Sequence, residues 1–242
     1  IIGFLDDKND LSPNIKLSIL FLLIYIFLNF NESFVIKFLN FSFIDFQLSL
    51  GSYDIFFTTL CFLLFINACN MFDGLNLQTG IYLTSVIFYF FSFSQSLLII
   101  VISISILFFL ILNFKGKIFM GDSGIYLYSF AISLIFVHLY NDRSIIYADT
   151  IFLIMMVPGI DMFRLFIVRI LKKQNPFQAD KNHIHHLLLN NYNYKKAIKI
   201  LSIIIYIPLF LIKIELSNVM ILLIYMFIYC YLIFNLKYKN VN

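Results

Sequence analysis

The chain has 242 residues, 62% of them hydrophobic, with 31 Phe, 15 Tyr and only 12% charged residues. Soluble domains carry roughly 25% charged and about 45–50% apolar residues, so these figures exclude a water-soluble globule and point to an integral membrane protein. The net charge of +4 is a weak nucleic-acid signal; its distribution along the chain carries more information.

A spanning helix needs about 20 mostly apolar residues, with a range near 17–25. In chain order the candidates are 14–30, 54–71, 79–94, 96–114, 123–140, 148–169, 197–214 and 217–236. The first and third are short, and the sixth contains Asp149, Asp161 and Arg164. Segment 34–50 partly alternates apolar and polar residues from Phe34 to Phe43, which suits a strand or an interfacial hairpin better than a crossing. Pro158-Gly159 is where the sixth span could break, and Asp161 with Arg164 three residues on reads as a structural ion pair. Cys61, Cys69 and Cys230 lie in apolar spans without metal-type spacing and read as small packers. The expected fold is an all-α polytopic membrane protein of about eight transmembrane helices, a single membrane-embedded domain over 1–242. The chain opens on Ile1-Ile2-Gly3-Phe4-Leu5-Asp6-Asp7 with neither a Met nor a cleavable signal, so an upstream portion is expected to precede it.

Polar residues gather in four clusters: Asp6-Asp7, Asn67 to Gly80, Gly121-Asp122-Ser123-Gly124 and His183 to His186. Successive clusters are separated by two candidate spans each, and an even number of crossings returns the chain to the same face. Lysine and arginine check this independently, because cytoplasmic loops carry an excess of them. The motif face receives fourteen, including Lys8, Lys16, Lys115, Lys117, Arg169, Lys172 and Lys181, against Lys37, Arg143 and Lys213 on the other. The motifs are expected to be cytoplasmic.

Each cluster has a chemical and a bland reading. Adjacent carboxylates at Asp6 and Asp7 repel unless a cation or a raised pKa relieves them, although such a pair could also be a solvated loop. If the second span stays helical to Asp73, then Asn67, Asn70 and Asp73 share one face, which is costly in lipid unless it meets a polar cavity. Asp122 between Gly121 and Gly124 offers a hard oxygen to Mg²⁺, though the same letters could form a turn and helix cap. His183, His185 and His186 stand near lysines and an arginine, a set suited to diphosphate oxygens, to a structural role or to a metal.

Together these residues resemble the polyprenyl-phosphate N-acetylhexosamine-1-phosphate transferase family, glycosyltransferase family 4. The matching signatures are Leu5-Asp6-Asp7, Asn67-Ala68-Cys69-Asn70-Met71-Phe72-Asp73-Gly74, Phe119-Met120-Gly121-Asp122-Ser123-Gly124, and Pro176-Phe177 followed by Asp180-Lys181-Asn182-His183-Ile184-His185-His186-Leu187. The split His-Ile-His-His spelling resembles the WecA-like branch rather than the related MraY-like one. After Asp73-Gly74 the family usually shows a second Asp, where this chain has Asn76. The family's helices ahead of the Asp-Asp motif have no counterpart in this sequence.

The resemblance implies transfer of a sugar-1-phosphate from a UDP-N-acetylhexosamine to polyprenyl phosphate, giving polyprenyl-diphospho-sugar and UMP, at the cytoplasmic side of the cell membrane. It implies Mg²⁺, with Mn²⁺ as a substitute, and no nucleic acid; a homodimer stays open. By motif position Asp6, Asp7 and Asp73 would be the catalytic carboxylates, with Asp6 or Asp7 acting on the lipid phosphate and Asp73 lining the nucleotide-sugar pocket. Asp122 would be the principal metal ligand with Asn70 near the metal or diphosphate, and Asn67 would contact substrate. Asn113 and Phe119 would sit near the uracil, and His183, His185 and His186 on the diphosphate. Two rivals use the same carboxylates: an intramembrane aspartyl protease with an Asp122–Asp161 dyad, and a non-enzymatic transporter with a proton relay.

Overall fold

The computed structural model describes residues 2–9, 11–142, 146–176 and 181–238. Asp10, Arg143, Lys239 and the motif residues Phe177 to Asp180 lie outside the described residues. Ten α-helices are found among those described: α1 (Ile2–Asn9), α2 (Pro13–Phe30), α3 (Asp54–Phe72), α4 (Gln78–Phe91), α5 (Leu97–Phe114), α6 (Gly121–Asn141), α7 (Ala148–Leu171), α8 (Ile184–Asn191), α9 (Tyr194–Lys213) and α10 (Asn218–Tyr238). Strands β1 (Phe38–Phe41) and β2 (Ile44–Ser49) form an antiparallel hairpin, Phe38 opposite Ser49. The protein is an all-α polytopic membrane protein, with this hairpin as its only strands among the described residues.

Each of the eight expected spans is a helix, and local chemistry explains several starts. Pro13 opens α2, where its fixed φ and missing N–H cost nothing. Ser96 and Asn193 cap α5 and α9 by accepting from the N–H groups of Ile99 and Lys196. Six helical segments are long and apolar enough to cross a membrane. The other two are α4, at 14 residues, and α9, which carries Lys195, Lys196, Lys199 and Lys213. Of these only α4 lies between motif clusters, so the same-face expectation depends on α4 crossing. Pro158 does not break α7, which runs unbroken through it.

The chain divides into two compact units. The first holds residues 1–70 and 120–155. Leu20, Ile24 and Leu28, spaced four apart on one face of α2, pack with Val35, Ile36, Phe62, Ile66, Val137 and Tyr140. Phe130 sets its edge against Phe27 and Phe62, at 5.4 and 5.6 Å. The hairpin is pinned here: the Tyr140 hydroxyl donates to Phe38 O and accepts from Asn40 N–H, both at 2.7 Å. The opposite face of α2 exposes Leu22, Leu23, Ile26 and Phe30, the pattern of a helix with lipid on one side.

The second unit holds residues 71–119 and 156–242. Here α4 packs on both α5 and α9, which buries ten of its residues from Gln78 to Phe90. Gly80 permits the approach to α5, since a Cβ there would lie 2.5 Å from Leu110 Cδ2. Helix α8 packs on α9 and α10.

Candidate active site

In the first unit, the Asp-Asp and Gly-Asp-Ser-Gly motifs fold onto each other. Asp6 and Asp7 are not in a loop but on α1, which packs on α6. Gly3 lets the helices touch: a Cβ there would sit 2.4 Å from Ser123 Cα. Asp7 then serves as the cap of α6. Its oxygens accept from Asp122 N–H at 2.9 Å, from Ser123 N–H at 3.2 Å and from the Ser123 hydroxyl at 2.6 Å. A carboxylate at a helix N-terminus satisfies orphan donors and meets the positive end of the dipole. Gly121, with φ at +62°, lies against it.

Asp6 is buried and accepts from Leu11 N–H at 2.8 Å. Its carboxyl and that of Asp122 both meet the Lys16 ammonium, and carboxyls brought this close need a shared proton or a cation to relieve the repulsion. Lys16 supplies a positive charge: its ammonium pairs with Asp6 and lies 3.4 Å from Asp122 Oδ2. Tyr126 donates to the same Asp122 oxygen at 3.2 Å. Burial works against the charge on Asp6, but Asp122, Lys16 and the Leu11 N–H together hold it below the usual carboxylate range. Burial is likewise outweighed at Asp7, by the Ser123 hydroxyl and the two backbone N–H groups. Both therefore accept a proton poorly.

The second motif divides at its end. Helix α3 stops at Phe72, so Asn67 and Asn70 keep the helical spacing while Asp73 rides the turn that follows. Asn67 and Asn70 are half-buried on α3. Burial raises the Asp73 carboxyl, with the neighbouring Thr79 opposing. Of the three carboxylates expected to be catalytic, Asp73 is the one shifted upward. Its turn is held by Asn113, which is buried: its Oδ1 accepts from Leu77 N–H at 2.6 Å and its Nδ2 donates to Ile118 O at 2.8 Å. Asn113 is thus a clamp between two loops, with its amide engaged at both ends. Phe119 is exposed.

In the second unit, that turn meets the histidines. A Cβ on Gly74 would lie 2.0 Å from His185 Nε2, so the ring packs where only glycine leaves room. His183 and His185 stack with centroids 5.4 Å apart and planes at 7°, and His186 tilts onto His185 at 4.3 Å. His185 is buried and its Nδ1 has no hydrogen-bond partner. Burial, then the neighbouring charges of His186 and His183, lower its pKa to about 3. It is a neutral ring at working pH. His183 meets Asp161, its Nδ1 at 2.9 Å from Oδ2.

Several participants were missed or underread in the sequence. Lys16 is ten residues from Asp6, with no periodic relation to Asp122. Asp161 and Arg164 do pair, at 2.7 Å, but the carboxylate also takes His183 and Tyr229, the latter at 2.5 Å. Both Asp161 oxygens are committed, which removes support for a protease dyad or a proton relay through it. Tyr194 donates to Asn76 O at 2.9 Å. Gln78 is fully buried with neither amide atom partnered; the sequence shows only that a polar residue stands there.

The donor set fits Mg²⁺ in one place. Among the described residues, no group of three His, Cys, Asp or Glu is arranged to hold a metal. Mg²⁺, however, usually takes one or two carboxylates and completes its shell with water and substrate phosphates. The paired carboxyls of Asp6 and Asp122 provide hard oxygens of that kind.

Several curated proteins are similar to this chain over most of its length. The undecaprenyl-phosphate alpha-N-acetylglucosaminyl 1-phosphate transferase of Escherichia coli K12 is 27% identical over 201 residues, covering 78% of this chain and 54% of that protein. The probable undecaprenyl-phosphate N-acetylglucosaminyl 1-phosphate transferase of Bacillus subtilis 168 is 31% identical over 198 residues, covering 78% and 55%. The Yersinia pestis protein of the same name as the first is 26% identical over 201 residues. The chain spans about half the length of the curated relatives it matches. Residues 1–140, more than half of the 242, match the family described as Glycosyl transferase family 4. By that match the chain belongs to glycosyl transferase family 4.

Proposed function

We propose that this chain transfers an N-acetylhexosamine-1-phosphate, with N-acetylglucosamine as the sugar its relatives' names suggest, from a UDP-sugar to polyprenyl phosphate at the cytoplasmic face of the cell membrane. The observation that carries the reading is the pairing of the motifs. Carboxylates 6, 7 and 122 gather on α1 and α6, and the Asp73-Gly74 turn packs on His185. Phosphoryl transfer asks mainly for positioning and charge neutralisation.

In this reading Asp122 and Asp6 hold Mg²⁺, with Asn70 offering an amide oxygen nearby. The ion, when bound, neutralises the diphosphate and the departing UMP. Asp7 keeps Asp122 in place by capping α6. Its low pKa makes it a poor base toward a phosphate monoester, whose second pKa is about 6. Asp73, raised by burial, is the carboxyl suited to exchanging a proton with the substrate. His183 and His186 meet the diphosphate oxygens, while neutral His185 packs the turn. The lipid tail stays in hydrocarbon beside the exposed apolar helix faces.

The test is UMP release by the protein expressed from its intact reading frame and reconstituted with polyprenyl phosphate. Release should require the lipid, a UDP-N-acetylhexosamine and Mg²⁺, and chelation by EDTA should stop it. Release that ignores the lipid or the metal would refute the assignment.

A further inference from the structure

The side-chain cluster around Asp161 does more than brace α7. The carboxylate receives five donors: Arg164 Nε at 3.2 Å, Arg164 Nη2 at 2.7 Å and the Tyr229 hydroxyl at 2.5 Å on Oδ1, with His183 Nδ1 at 2.9 Å and Ile184 N–H at 3.2 Å on Oδ2. Tyr229 comes from α10 and also accepts from Arg164 Nε at 3.1 Å. Arg164 Nη2 donates onward to Asn182 O at 2.6 Å. The residues on either side of His183 are thus tied to α7 as well as the ring.

His183 is the N-cap residue of α8, yet its own side chain caps nothing. Asp161 takes over, accepting the orphan N–H of Ile184. This frees the imidazole and fixes its direction. An ionised carboxylate can only accept, so Nδ1 carries the proton and Nε2 is the ring atom left for a ligand. Metal-ligating histidines are commonly held this way, by a carboxylate behind the far ring nitrogen, and the same geometry orients the ring here.

We propose that Asp161 is a positioning residue for the transfer reaction, holding the Nδ1–H of His183 so that Nε2 faces the substrate diphosphate, to which it donates when Nε2 carries a proton as well. The proposal rests on the transferase reading of the histidine motif. Arg164 and Tyr229 hold the carboxylate, and the stack of His183 on His185 extends the order toward the Gly74 turn.

The experiment labels the histidines of the whole protein with ¹⁵N in lipid nanodiscs and reads their tautomers by NMR. Only four histidines are present, and His183→Gln identifies the signal of interest by difference. In the unsubstituted protein His183 should show a protonated Nδ1; a ring protonated on Nε2 alone would overturn the proposal without any variant. Asp161→Asn should shift His183 toward the other tautomer and lower kcat for UMP release about 10- to 100-fold, the usual range for such supporting carboxylates. KM for the UDP-sugar should stay within about threefold, since a positioning loss of this kind falls on kcat. Asp161→Glu should keep the Nδ1 proton and restore part of the rate, and Tyr229→Phe should leave the tautomer as it was. An unchanged His183 signal in Asp161→Asn, or a changed signal with full kcat, would also overturn it. If the unsubstituted protein releases no UMP the transferase reading falls, and the kcat arm of this proposal falls with it, whereas the tautomer measurement still decides the geometry.

Discussion

The carboxylates of the first unit and the histidines of the second manage buried polarity in opposite ways. Asp6 and Asp7 stay charged by finding donors at once: an ammonium, a helix N-terminus, a hydroxyl. His185 instead gives up its charge, and His183 borrows order from a carboxylate that is itself saturated. The difference follows from chemistry. A carboxylate near a membrane surface can be matched by one lysine, while clustered imidazoles would repel if charged and are cheaper neutral. In the proposed reading one region exchanges its counter-ion for a metal, and the other keeps its shape.

Substitutions can break this contrast at either end. Asp122→Asn should have the largest effect, cutting UMP release at least about 100-fold, as loss of a principal electrostatic group does, while thermal unfolding stays near that of the unsubstituted protein. Retained release would take Asp122 out of the charge-exchanging region. Gly74→Ala places a methyl into the His185 ring and should cost about 1–3 kcal/mol of overpacking, read as a lower Tm together with lost activity. Gly159→Ala is its control, because a Cβ there meets nothing within 4 Å; the change should be neutral or stabilise by up to about 1 kcal/mol.

The pH dependence sharpens the same comparison. His185 is lowered to about 3 from 6.5, so the unfolded chain binds the extra proton first as pH falls. Its contribution to stability is complete above about pH 6.5 and declines as pH drops from there toward about 3. His185→Gln should flatten that part of a Tm-against-pH curve. Asp7 is also lowered, and its contribution is present above the unfolded carboxylate value near 3.9 and lost on further acidification. Asp7→Ala should remove that more acidic limb and cost about 1 kcal/mol through the lost cap, the smallest of these losses.

Much of this was legible in the sequence, for identifiable reasons. Apolar runs fixed the long helices to within a few residues: 54–71 is Asp54–Phe72 and 148–169 is Ala148–Leu171. The alternation in 34–50 gave the hairpin. The four motifs marked the chemistry, yet their spacing could not say which would pair with which. Asp7 caps a helix 115 residues away, and Tyr229 reaches Asp161 across 68; no local pattern encodes such distances. Asn113, expected near the uracil, is bonded at both ends as a loop clamp. Helix α1 was hidden because its eight residues are too short for a periodic signal.

The account turns on the four motif clusters facing one side of the membrane, and α4 is its critical crossing, with 14 residues where about 20 are usual. The direct measurement is accessibility labelling of single cysteines, in a background without Cys61, Cys69 and Cys230, at Lys8, Lys117, Lys181 and Glu215. Lys8, Lys117 and Lys181 should react from the cytoplasmic side and Glu215 from the other. A Lys117 cysteine reporting to the compartment opposite Lys8 would contradict it.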